Sequence, residues 1–170
     1  EKQMMIPEMG QDFSLQATQG FNIIATANLR DRGVHEMSAA LKRRFNFETV
    51  KPIRDQKFEI ELVGLQLKNQ LADLYSEIQV RPEVIELLVT IFNELRTGQS
   101  LQGATLKTPD AVMSTAEAVN IAHAAGLQAI YLSDGKLKAE HLAQQLIGVV
   151  FKDNPDDAKR LRYYLDTVVK

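Results

Sequence analysis

The chain has no cysteine, which excludes disulfides, thiolate nucleophiles and cysteine-held metals and fits a reducing compartment. It has no apolar run near the ~18 residues a membrane helix needs, so no membrane span is expected. Charge of one sign is not in excess either. Twenty Lys and Arg against 22 Asp and Glu leave a formal net charge of -2, which predicts no general attraction to nucleic acid or anionic lipid. No signal-peptide pattern opens the chain, and its first residue is Glu1 rather than methionine, so a processed, trimmed or expressed piece of a longer protein is expected. What is present, 45% hydrophobic and 25% charged residues over a length of 170, is the composition of a globular domain or two small lobes.

The first part of the chain reads as strand and turn. Gln3 to Ile6 is a short apolar run stopped by Pro7 and Gly10, and Phe13 to Gln16 alternates before Gly20. Phe21 to Ala27 (FNIIATA) has the length and β-branching of a buried strand, so a hairpin feeding a sheet is expected. A charged turn, Asn28 to Glu36, follows. Ser38 opens a short helical stretch to Arg44, and Phe45 to Val50 reads as a further strand ended by Lys51-Pro52. From Asp55 the pattern becomes helical. Apolar residues recur at helical spacing from Phe58 to Leu74 and again behind Pro82, which suits a first helical position. Gly98 to Pro109 reads as a flexible polar loop. Ser114 and Glu117 form a capping-box pattern for a helix expected to stop at Gly126. Lys138 to Val150 and Asp156 to Val168 complete the helices, the last capped by Asn154-Pro155. A strand-rich stub followed by helices is odd alone, because a buried strand expects neighbours on both sides. The chain reads as the edge of a larger α/β domain.

Two features could carry chemistry. Asn28 directly follows the apolar run, the position beyond a strand's carboxyl end where α/β sheets bind ligands. Its amide could donate to a phosphate oxygen and accept from an attacking water; equally, it could simply begin a turn. Lys42-Arg43-Arg44 lies between the apolar anchors Leu41 and Phe45, which hold three cations in place. Guanidinium can grip phosphate oxygens and stabilise the charge of a transferring phosphoryl group. A solvated basic turn or a contact to a nucleic-acid backbone is the alternative. His35, His123 and His141 show no metal-ligand spacing, and no metal site is expected.

The stretch FNIIATANLRDRGVHEMSAALKRRFNFETVKPI resembles the sensor 1 to arginine-finger segment of MoxR-type AAA+ ATPases, where an apolar strand ends in A-T-x-N and a short helix ends in Arg-Phe. The resemblance makes Asn28 the sensor 1 residue and Arg44 the arginine finger acting on a neighbouring subunit's nucleotide. Arg43 departs from the pattern, since many relatives carry Asp there. Residues 1–19 resemble the hairpin before sensor 1, and the helices after Pro52 resemble the helical lid. The fold class implied is an α/β fragment, mostly α: the C-terminal edge of an AAA+ P-loop core over residues 1–52, then an α-helical lid over 53–170. The implied cofactors are ATP and Mg²⁺ in the full-length protein, with Asn28 the cofactor-binding residue here and no tightly bound nucleotide expected on this chain alone. The implied partners are neighbouring subunits of a homo-oligomeric ring and a protein substrate, in a cytoplasmic setting.

Two departures limit what the chain can do. No G-x-x-x-x-G-K-[ST] phosphate loop is present; Gly98 to Thr105 matches it only in part, with Ala104 in place of the lysine. No apolar strand ends in Asp-Glu to hold Mg²⁺. The chain alone is therefore expected not to hydrolyse ATP. The lid helix that should carry a sensor 2 arginine begins Ser114-Thr115-Ala116-Glu117 instead. A helical nucleic-acid-binding module, using Lys42 to Arg44 and Lys159, Arg160 and Arg162, and a protein adaptor without ATPase activity are the alternatives.

Overall fold

A computed structural model describes residues 3–9, 14–27, 37–107, 113–150 and 155–169. The chain divides into two units, Glu1–Glu48 and Thr49–Lys170.

In the first unit, β1 (Gln3–Met5) and β2 (Ser14–Gln16) form the expected antiparallel hairpin, with Gln3 opposite Gln16, Met4 opposite Leu15 and Met5 opposite Ser14. A short 3₁₀ turn, Pro7–Met9, follows β1, because proline ends the strand by withholding a donor. The FNIIATA run departs from expectation. Residues 21–27 pair with no strand and are exposed, Ile24 by 92%. A central strand is stabilised by hydrogen-bonded neighbours on both sides. Among the described residues the sheet is only the hairpin, whose three-residue strands already pair with each other. The strand expected over Phe45 to Val50 is likewise absent, for the same want of a ladder partner. α1 (Ala39–Lys42) forms as expected, capped by Ser38.

The second unit is a helical bundle. Asp55 caps α2 (Gln56–Leu71) by accepting the Phe58 N–H at 3.1 Å. One face of α2 buries Glu59, Val63, Leu67 and Leu71, each a helical turn from the next. Phe58 and Leu65 project from the other side, each more than half exposed. The chain leaves α2 through a 3₁₀ turn, Ala72–Glu77, and enters α3 (Pro82–Thr97) with Pro82 at its start. Ile85, Leu88, Val89, Phe92 and Leu95 of α3 are buried, and Gly98 closes the helix in the left-handed conformation.

The full capping box predicted at Ser114 and Glu117 begins α4 (Thr115–Leu132). The helix does not stop at Gly126. That glycine is buried inside α4, where an added Cβ would meet Leu71 Cδ1 at 3.0 Å, Ile78 Cδ1 at 3.4 Å and Leu67 Cδ1 at 3.5 Å. Its role is close approach to α2 rather than termination. α5 (Ala139–Val150) and α6 (Pro155–Tyr164) follow, and α6 continues into a wider π-helical turn, Leu165–Val169. Asn154, the expected cap of α6, lies outside the described residues.

α2 packs against α3 and α4, α4 against α5, and α5 against α6, while α3 touches α4 and α5. Leu67, Leu88, Phe92, Ile121, Leu142, Leu146 and Leu161 are fully buried between them. Each such side chain contributes about 1.5–3 kcal/mol of hydrophobic stabilisation. The loops are fastened too: Gln79 donates to the Gly135 carbonyl at 2.7 Å and accepts from Leu137 N–H at 3.0 Å. Gly135 has φ +72°, and a Cβ there would lie 2.8 Å from the Glu77 carbonyl oxygen, so only glycine suits this crossing. No helix among the described residues is long and apolar enough to cross a membrane.

Candidate functional site

The basic triplet sits at the end of α1. Ser38 Oγ accepts the Leu41 N–H at 3.2 Å, and the N–H groups of Lys42, Arg43 and Arg44 donate to the carbonyls of Ser38, Ala39 and Leu41 at 2.9, 3.1 and 3.0 Å. The turn thus fixes the backbone of both arginines. Their side chains are exposed, and neither forms an ion pair among the described residues. Guanidinium groups in this state keep their full donor capacity for an anionic oxygen. Asn28 and His35 lie outside the described residues.

The partial phosphate-loop pattern at Gly98 to Thr105 behaves quite differently from a flexible loop. Gln99 and Thr105 form an antiparallel bridge, Gly103 N–H donates to the Ser100 carbonyl at 2.9 Å, and Ala104 N–H donates to Ser100 Oγ at 3.0 Å. Leu101 N–H is taken by the carboxylate of Glu94 at 2.7 Å. A phosphate loop needs such amides unpaired and pointing at the anion. Here those of Gly103 and Ala104 are spent on Ser100 and that of Leu101 on Glu94. The segment does not fit a nucleotide.

The start of α4, where the resemblance looks for a lid arginine, receives one from another helix. Arg96, near the end of α3, donates from Nη2 to Glu59 Oε1 at 2.8 Å and from Nη1 to Glu59 Oε2 at 2.9 Å. Its Nε donates to the Met113 carbonyl, and its guanidinium lies 5.5 Å from the centre of the Phe92 ring. Thr115 Oγ1 adds a hydrogen bond to Glu59 Oε1 at 2.6 Å. Glu59 is wholly buried, so this is a neutralised network joining α2, α3 and α4. Arg96 is held on two sides by protein groups, which favours a structural role over ligand binding. Sequence reasoning passed over both residues, although Glu59 shares the helical repeat of Val63 and Leu67 and so falls on a buried face that demands a partner.

His141 is buried, its Nδ1 facing the Lys138 N–H at 3.3 Å, and among the described residues no cluster of His, Asp and Glu could hold a metal. Of the second basic run, Lys159 pairs with Asp156 and Arg160 with Asp157, each at 2.9 Å.

A profile of the AAA domain, dynein-related subfamily, matches residues 1–45, and one of the YehL-like AAA+ ATPase C-terminal domain matches residues 57–170. The Escherichia coli (strain K12) protein YehL, described as uncharacterized, is 47% identical over 167 residues, which cover 98% of this chain. The chain spans about half the length of that curated relative, 46% of it. No solved structure matches. An arginine-bearing segment within an AAA domain match, followed by a helical bundle matched along its length, places the chain in the family of YehL-like AAA+ ATPase C-terminal domains.

Proposed function

We propose that the chain is the C-terminal part of a MoxR-like AAA+ ATPase that works in a ring of like subunits in the cytoplasm and couples ATP hydrolysis to remodelling or maturation of a protein partner. The observation that carries this reading is the arginine pair at the end of α1, stapled at the backbone, exposed at the side chain and free of counter-ions among the described residues. An arginine kept unneutralised on a fixed turn suits a transient anion better than a permanent ion pair. In this reading Arg44, with Arg43 beside it, reaches the nucleotide of the next subunit, and Asn28 orients the attacking water. A finger that serves a neighbour requires a repeated head-to-tail interface, hence the ring. ATP with Mg²⁺ supplies the phosphoryl group, and the groups that hold it belong to the part of the protein outside this chain. The lid reading places residues 53–170 as the element that relays nucleotide state to the partner.

The test is Arg44→Ala in the full-length protein, with ATP turnover and nucleotide binding measured side by side. Turnover is expected to fall by about a thousandfold or more, while binding stays nearly unchanged. Equal loss of both, or no loss of turnover, rejects the assignment of Arg44. Arg43→Ala, measured alongside, apportions the role between the two residues.

A further inference from the structure

Glu94 lies in the last turn of α3, where a negative charge meets the unfavourable end of the helix dipole, and it is 6% exposed. Its carboxylate is satisfied from two directions. One oxygen accepts the Leu101 N–H at 2.7 Å, and the other accepts the hydroxyl of Tyr164 at the end of α6. One carboxylate therefore bridges the turn at residues 98–105 and the C-terminal helix. The turn holds Leu101 outward, 77% exposed, an apolar side chain presented on an ordered support.

α6 buries a short set of apolar side chains. Its sequence, PDDAKRLRYY, is mostly polar, and Ala158, Leu161 and Tyr164 are the apolar side chains it buries. Leu165, Val168 and Val169 add partly buried contacts beyond it. Elements with few buried apolar contacts open locally at low cost. Tyr164 is both an anchor of this helix and the donor to Glu94. Burial, and then the hydrogen bond and charge of Glu94, push its hydroxyl well above the ordinary tyrosine range, so it remains a donor.

We propose that α6 is a strap which sets the posture of the 98–105 turn, and with it the exposed Leu101, through Glu94. When α6 lifts, the carboxylate loses the Tyr164 hydroxyl and is opened to water on that side. Its remaining negative charge is better solvated by turning outward, which takes its other oxygen from the Leu101 amide. A partner that grips the C-terminal helix thereby loosens the turn. By reciprocity, a ligand that fixes the turn tightens α6. This coupling does not depend on the ATPase reading, since it involves only contacts within the helical unit.

The test is backbone amide hydrogen exchange on the chain and its Tyr164→Phe variant, comparing Leu101 with the core amides of Leu88 and Val89. Tyr164→Phe removes the hydroxyl and keeps the ring. It is expected to speed exchange at Leu101 by about tenfold or more, with the core amides unchanged. A second variant, Leu161→Ala, loosens α6 by packing alone and leaves Glu94 and Tyr164 in place. It is expected to speed Leu101 exchange more than that of Leu88 and Val89. An unchanged Leu101 rate in Tyr164→Phe overturns the proposal. So does a rise shared equally by the core, which reports a general loss of stability, and so does Leu101 remaining protected in Leu161→Ala.

Discussion

At the scale of single residues, the structure turns on where charge is buried. Glu59 and Arg96 are held by a two-pronged ion pair with Thr115 and the Met113 carbonyl completing it. Removing one partner of such a pair strands the other in a dry setting, which costs about 3–5 kcal/mol. Glu59→Ala is therefore expected to lower the unfolding free energy by about that amount in urea titrations followed by far-UV circular dichroism. A change within about 0.5 kcal/mol of the parent would show that the pair is not buried as described. The residue scale is also where sequence reading succeeded least evenly. Arg43 and Arg44 stand out in the sequence because Leu41 and Phe45 are expected to anchor them, yet Leu41 is 43% exposed and Phe45 only partly buried. Glu59 carried a usable signal, a carboxylate in register with Val63 and Leu67, but its partner Arg96 lies 37 residues away and no local pattern joins them. Asn28 falls outside the described residues.

Among the elements, helices were legible wherever capping and apolar spacing agreed, as at Asp55, Pro82 and Ser114. Two misreadings share a cause. Gly126 looks like a stop because glycine weakens helices locally, yet packing against Leu67, Leu71 and Ile78 decides its role. FNIIATA looks like a strand because its side chains favour one, yet pairing is a property of neighbours. The α4–α5 turn offers a pH test of local structure. Asp134 accepts from Lys138 Nζ at 3.1 Å and from the Lys136 N–H at 3.3 Å. The Lys138 hydrogen bond foremost holds its carboxyl below the ordinary value of 3.8. A depressed folded-state value means that the contribution of Asp134 is present above the ordinary value and is lost as pH falls through the lowered one. The Asp134 titration followed by carbon-detected NMR should thus have its midpoint below 3.8, and Lys138→Met should raise it toward 3.8. An unmoved midpoint would show that the exposed lysine does not act on it.

For the whole molecule, the distribution of the core matters most. The buried apolar residues begin at Val63, and none lies in the first unit among its described residues. Stability should accordingly reside in the helical unit. A chain beginning at Thr49 is expected to unfold in urea within about 0.5 kcal/mol of the longer one, with the same cooperativity. A loss beyond about 2 kcal/mol would show that the first unit stabilises the bundle. The strap has a further consequence, in the order of folding. Helix pairs adjacent in the chain meet early, because closing a short loop costs the least chain entropy. The side-chain bonds between distant residues close progressively longer stretches: 37 residues for Arg96 to Glu59, 56 for Thr115 to Glu59 and 70 for Tyr164 to Glu94. In an unfolded chain the Tyr164 to Glu94 bond is thus the costliest of the three to close, and it is expected to form after the other two.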